Sequence, residues 1–133
     1  EAILCANSTV GPNTIRFNIP GAAPYVINVG EANGDELPAL LDGQTIIDGT
    51  TQAGYSGSPV IVLDGQSHDW QLPINAIWVR ADSCEIYGLE IRNFPDDGID
   101  VRDADNVIIG ASGKGTKNCT VSVIGVKQKI NGR

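Results

Sequence analysis

The sequence predicts an all-β chain, its short strands wound into a parallel β-solenoid of about four to five coils behind a short N-terminal capping helix. Three observations carry that prediction. Ile and Val number 27 against 7 Leu and no Met, in a chain with 16 Gly and 7 Pro. Branched side chains punctuated by turn formers favour strands over helices. Between the turn residues the apolar positions alternate, as at Ile15, Phe17 and Ile19, which places them on one face of a strand. The third observation is an internal repeat. Ala76–Gly88 aligns with Gly98–Gly110 at a shift of 22 without a gap, matching Ile77 to Ile99, Val79 to Val101, Arg80 to Arg102, Ile86 to Ile108 and Gly88 to Gly110. A short period with two strands per unit and no helix is that of stacked coils. A sandwich of hairpins has no reason to keep such a register, and the fixed Leu and Asn offsets of a leucine-rich repeat are missing.

The elements follow in order. Glu1–Asn7 is the one helical stretch, with Ile3 and Leu4 on its apolar side and Asn7, Gly11 and Pro12 ending it. Strands are expected at Thr14–Ile19, closed by Pro20-Gly21, and at Tyr25–Val29, followed by the acidic loop Glu31–Glu36. Gln44–Asp48 is a strand ended by Gly49, and the turn-rich stretch to Pro59 leads into Val60–Leu63. Ala76–Arg80, Cys84–Ile91, Gly98–Val101, Asn106–Ile109 and Thr120–Ile124 complete the set. No linker or low-complexity segment divides the chain, so residues 1–133 read as one domain. Coils about 4.8 Å apart stack Ile and Val into inward columns, giving a body on the order of 20 Å tall. Each terminal coil presents a row of unpaired backbone groups, a template for another strand.

Composition excludes several classes. With 41% hydrophobic and 19% charged residues the chain is an ordinary folded domain, and no apolar run approaches the roughly 20 residues of a spanning helix. A net charge of −7 argues against a nucleic-acid partner, which needs a basic footprint. The charge is uneven: residues 31–105 hold 15 acids and three bases, whereas the residues after Asp105 hold five bases and no acid. An acidic body with a basic end reads either as a solvated cationic tail or as a complementary contact between neighbouring copies, since opposite patches steer association. Of the three cysteines, Cys84 and Cys119 could form a disulfide with Cys5 buried, or all three could be core thiols; no Cys/His spacing suits zinc.

The segments EAILCAN, GPNTIRFNIPG, LPAL, TIIDGTTQAGYSGSPVIVLDG and NVIIGASGKGTKN resemble the secreted right-handed parallel β-helix repeat proteins of bacteria, of the pectate-lyase-like superfold. The resemblance covers most of residues 1–120 and is most specific over Thr45–Gly65. It implies an extracellular or cell-surface location and a right-handed β-helix. Because EAI follows a Ser-Leu-Arg lead in that family, and further coils follow NVIIG, it also implies that this chain is a piece of a longer protein. Its two Asn-X-Thr/Ser sequons, at Asn7 and Asn118, carry little weight in a bacterial setting.

Candidate chemistry is sparse. Asp96, Asp97 and Asp100, with Asp103 and Asp105 nearby, form the densest acidic cluster. Carboxylates on a turn suit a hard cation such as Ca2+, as in lyases of the resembled fold, but the spacing matches no standard Ca2+ loop and suits turns equally. Asp100 alternates with Ile99 and Val101 and should point outward. Arg80 and Arg102 should stack one coil apart. As lyase bases, with Arg92 as partner, they would need strongly lowered pKa values, and Asp82, Asp103 and Asp105 act against that. Asp48 and Asp64 can be drawn as a glycosidase pair, yet each completes an Ile/Leu-Asp-Gly turn. His68, between Ser67 and Asp69, is not a triad, whose members meet in space rather than in sequence. Trp78 takes the outward phase with Tyr87 expected on the same side, and with Trp70 and Tyr55 these aromatics could contact a glycan or a protein neighbour. The expectation is a non-catalytic extracellular module with no cofactor beyond a possible Ca2+: an adhesin, scaffold or end-to-end filament subunit. The competing expectation is a polysaccharide lyase or glycoside hydrolase acting on acidic or neutral glycans.

Overall fold

A computed structural model of the chain describes residues 1–30, 36–66, 72–110, 120–121 and 130–131. It is built from short strands in parallel sheets and one short helix. Helix α1 spans Ala2–Asn7. The strands are β1 (Asn13–Arg16), β2 (Tyr25–Asn28), β3 (Thr45–Asp48), β4 (Ile61–Asp64), β5 (Ile77–Val79), β6 (Glu85–Tyr87), β7 (Leu89–Arg92), β8 (Ile99–Val101), β9 (Ile108–Ile109), β10 (Thr120–Val121) and β11 (Ile130–Asn131).

These strands form three parallel sheets. Sheet A runs β1-β3-β6-β9, sheet B runs β2-β4-β7-β10, and sheet C runs β5-β8-β11, joined at its first-circuit edge by a parallel bridge from Leu40 to Val79. The chain visits A, B and C in that order and then begins again, so the described strands make four circuits. Each sheet grows by one rung per circuit. The register puts like residues over like: Ile15, Ile47, Ile86 and Ile109 in sheet A, Ile27, Leu63 and Ile91 in sheet B, Ile77 and Ile99 in sheet C. All of them belong to the apolar interior or, as with Ile15, Ile27 and Ile109, pack against it half-buried. Burying one such side chain is worth about 1.5–3 kcal/mol, and an interior fed from three sheets explains the excess of Ile and Val.

The expected pairing of Ile77 with Ile99 and Val79 with Val101 is the observed register. The gap-free repeat fails one strand later, because Ile86 pairs with Ile109 and not with Ile108. The corner from sheet C to sheet A has gained one residue in the third circuit, and Asp103 takes up the slack in the left-handed region (φ 52°). The same corner is otherwise uniform. Gln44, Ser83 and Asn106 each precede the inward Ile of sheet A by three residues, and each has φ near 60°. The Ser83 N–H donates to Asp105 O at 2.8 Å and the Gln44 N–H to Asp82 O at 2.9 Å, locking one corner onto the next.

Two further corrections concern strand ends. Cys84–Ile91 is not one strand: Gly88 alone joins β6 of sheet A to β7 of sheet B. A left-handed Gly88 (φ 63°) turns the chain there, and a Cβ on it would sit 2.7 Å from Thr50 N. Expected strand Thr14–Ile19 stops at Arg16. Beyond it the Phe17 N–H donates to Thr51 Oγ1, and the Gln52 side-chain amide both accepts from Ile19 N–H (2.8 Å) and donates to Ile19 O (2.9 Å). A side-chain amide there replaces the backbone partner that a strand would supply. The second half of the expected strand Thr120–Ile124 lies outside the described residues, and β11 had no counterpart in the sequence reading.

Helix α1 covers the first-circuit end, burying Ile3 and Ala6. Its Leu4 stays exposed, so Ile3 and Ala6 form the apolar side in place of Ile3 and Leu4. Asn7 then closes the free edge of sheet C: its Nδ2 donates to Ala39 O at 2.8 Å and its Oδ1 accepts from Leu41 N–H at 2.9 Å. Among the described residues no helix is long and apolar enough to cross a membrane.

Candidate functional site

The outer face of sheet C gathers four of the residues singled out from the sequence. Trp78 and Asp100 are register neighbours on β5 and β8, and Arg80 and Arg102 follow those strands. Arg80 lies over the Trp78 ring, 4.6 Å from its centroid, a cation–π distance. Its Nη2 is 3.1 Å from Asp100 Oδ2, and its Nη1 donates to Val79 O and Asp100 O. Arg102 Nε reaches the other carboxylate oxygen, also at 3.1 Å. Asp100 takes the outward phase expected for it, but it is not exposed: its side chain is 0% accessible under the two guanidiniums. A carboxylate so buried needs both charges beside it. The cluster is therefore a clamp between circuits, with Arg102, 58% exposed, as its open side.

Asp96 and Asp97 stand apart from that clamp, at the corner entering β8. Asp97 is buried, its N–H donating to Asn75 Oδ1 and its carbonyl accepting from Ala76 N–H, while Asp96 is exposed and its N–H donates to Ile74 O. Among the described residues no group of three or more His, Cys, Asp or Glu side chains is arranged to hold a metal ion. Asp96, Asp97 and Asp100 serve a turn and an ion-pair clamp in this arrangement, and the three do not converge.

Tyr87 corrects the expected aromatic surface. It is 1% exposed, with its hydroxyl donating to the Glu85 carboxylate. Burial first, then the Glu85 acceptor and the negative charges of Glu85 and Asp48, push the phenol up to about 12. Trp78 is half-buried, with Arg80 over its ring. Tyr55 is half-buried in the A-to-B loop. Trp70 and the Ser67-His68-Asp69 run lie outside the described residues, as do Cys119, Asn118 and the five basic residues after Asp105.

The Asp48/Asp64 pair is equally engaged. Asp48 Oδ1 accepts from Thr50 N–H at 3.0 Å and from the Thr50 hydroxyl. Asp64 accepts from Gln66 N–H, Asn93 Nδ2 and Arg92 Nε at 3.0, 3.0 and 2.9 Å. Burial alone would raise the Asp64 carboxyl; the hydrogen bonds from Asn93, Arg92 and Gln66 and the Arg92 charge outweigh it and hold it below its ordinary value of 3.8. Arg92 is held more firmly protonated by the same contact, the reverse of what a base requires. Cys84 is a buried free thiol, raised by burial and by the nearby Asp42 and Asp82 charges. Cys5, expected in the core, is exposed, because α1 turns Ile3 and Ala6 inward instead.

One further feature has no signal in the sequence. The interior opens at the first-circuit end into a cavity of about 300 Å3 beneath α1, lined by Ile3, Ile15, Phe17, Ile27, Leu37 and Leu63 among others. Its walls come from separate strands whose side chains meet only after the circuits stack, so no local motif marks it. No family model, curated protein or solved structure matches the chain.

Proposed function

We propose that the chain is a right-handed parallel β-helix module with a non-catalytic, extracellular structural or adhesive role. Parallel strands joined through crossovers take the right-handed sense almost without exception, which supports the handedness. The observation that carries the role is the use made of the acidic side chains. Asp64 accepts three hydrogen bonds at one corner and Asp100 binds two arginines at another. These carboxylates join neighbouring circuits, whereas a hydrolase keeps two of them facing its sugar. Arg80 and Arg92 are each paired to a carboxylate, whereas a lyase base must lose its proton.

The test is incubation with a panel of polyuronates and neutral glycans, with and without Ca2+, scored separately for binding and for product. Retention without turnover supports the adhesive role. Product formation, above all if Arg80→Lys or Asp100→Asn abolishes it while circular dichroism is unchanged, replaces that role with a lyase or hydrolase. End-to-end stacking of copies is a second reading, favoured by the sequence's acidic body and basic end. It requires α1 and Asn7 to give way at the first-circuit end, and it predicts assemblies that dissolve as salt rises. Sedimentation at low and high salt checks it; a monomer under both conditions excludes it.

A further inference from the structure

The cavity beneath α1 differs from the rest of the interior in how its columns are filled. In the second and third circuits the inward residues are closed off, with Ile47 and Leu63 at 5% exposure and Ile77 and Leu89 at 1%. Their first-circuit neighbours Ile15 and Ile27 are only half-buried. Phe17 and Leu37 are half-buried beside them. Above them α1 contributes Ile3 and the small methyl of Ala2, and Glu1 is the single charged residue in the lining. The result is a concave space of about 300 Å3, at the lower end of the range of small-molecule sites. Apolar cavities of about half that size take up benzene while excluding water, since water finds no hydrogen-bond partner in them.

We propose that this first-circuit cavity is a binding site for a small, uncharged, hydrocarbon-like molecule, of the size of a monocyclic aromatic or a short alkyl chain. Such a guest extends the inward Ile columns by one layer, touching Ile15, Ile27 and Leu37 on its sides and Ile3 from above. Apart from Glu1 no side chain in the lining offers a hydrogen bond, so a sugar has little to exchange for its water. The site does not depend on the adhesive role proposed above.

The experiment is a toluene titration of the full chain, followed by methyl NMR and thermal melting, with glucose as the polar comparison. Toluene shifts the Ile15, Ile27 and Leu37 methyl signals saturably and raises Tm, because it binds the folded state alone; glucose does neither. Ala2→Phe places a ring over the space from an exposed position on α1. It weakens toluene binding at least tenfold while leaving circular dichroism unchanged. Ile27→Phe, filling from β2, gives the same loss and covers the case in which α1 is disturbed. Unshifted methyls up to the solubility limit of toluene overturn the proposal. So does equal binding by wild type and both variants, or a dimer whose formation protects these methyls and which toluene does not compete with.

Discussion

Two corners of the molecule solve the same turning problem in opposite ways. From sheet C to sheet A the chain turns by a nearly constant device, a left-handed Gln44, Ser83 or Asn106 three residues before an inward Ile. From sheet A to sheet B it uses residues 17–24 in the first circuit, 49–60 in the second and Gly88 alone in the third. The constant corner is held by backbone bonds between successive turns. The variable corner relies on glycine, since Gly49 and Gly88 lie so close that neither tolerates a Cβ. A corner stacked on its own copy can be built from ordinary side chains, even at some cost in backbone strain. A corner where a long loop passes a one-residue turn must give up side-chain volume instead.

The comparison breaks most readily at the glycines. Gly49→Ala drives a methyl into Gly88 O and the Leu89 side chain, and Gly88→Ala adds left-handed strain to a contact with Thr50 N. Each is expected to cost about 3 kcal/mol, Gly49→Ala through overpacking and Gly88→Ala through overpacking and backbone strain together, read from urea unfolding midpoints. Next in size is Asp100→Ala beside the constant corner. It leaves Arg80 and Arg102 facing each other without the buried carboxylate and is expected to cost about 2–3 kcal/mol, below the figure for wholly buried pairs because both arginines reach water.

The third corner, from B to C, adds a pH dependence. The Asp64 carboxyl has a folded pKa below its ordinary 3.8, so its contribution to stability is complete above that value and is lost as pH falls through the folded pKa. Asp64→Asn should flatten this acid limb in Tm measured against pH, leaving the neutral-pH difference as the cost of the lost charge. The smallest effect sharpens the contrast. Ser83→Gly relieves a φ of 60° at the constant corner and is expected to be stabilising by at most about 1 kcal/mol, the gain reduced by the extra freedom of glycine when unfolded. Equal, large losses at both corners would remove the distinction.

The same contrast explains what could be read in advance. Ile77/Ile99 and Val79/Val101 reveal the repeat because they flank the constant corner, where spacing from circuit to circuit changes by one residue at most. The single-residue turn at Gly88 is hard to read because Glu85–Ile91 is an apolar-rich run with no loop in it; the isolated Gly and the shift of apolar phase from Ile86 to Leu89 and Ile91 are the available signals. At the candidate site, the outward phase of Asp100 and the one-circuit offset of Arg80 and Arg102 were legible from alternation and repeat. The burial of Asp100 was not, since it arises from two long side chains folding back over it. Tyr87 was misplaced for a related reason: its position beside Gly88 puts it at a corner, where strand alternation no longer fixes exposure. The cavity was illegible because it is a property of how incompletely one layer covers the next.

The Asn7 amide carries a last consequence. By answering Ala39 O and Leu41 N–H with one side chain, it occupies the place an incoming backbone would take on sheet C. A strand arriving at that edge must first evict a donor and an acceptor that already fit, so the helix end of sheet C is guarded against adventitious edge-to-edge pairing.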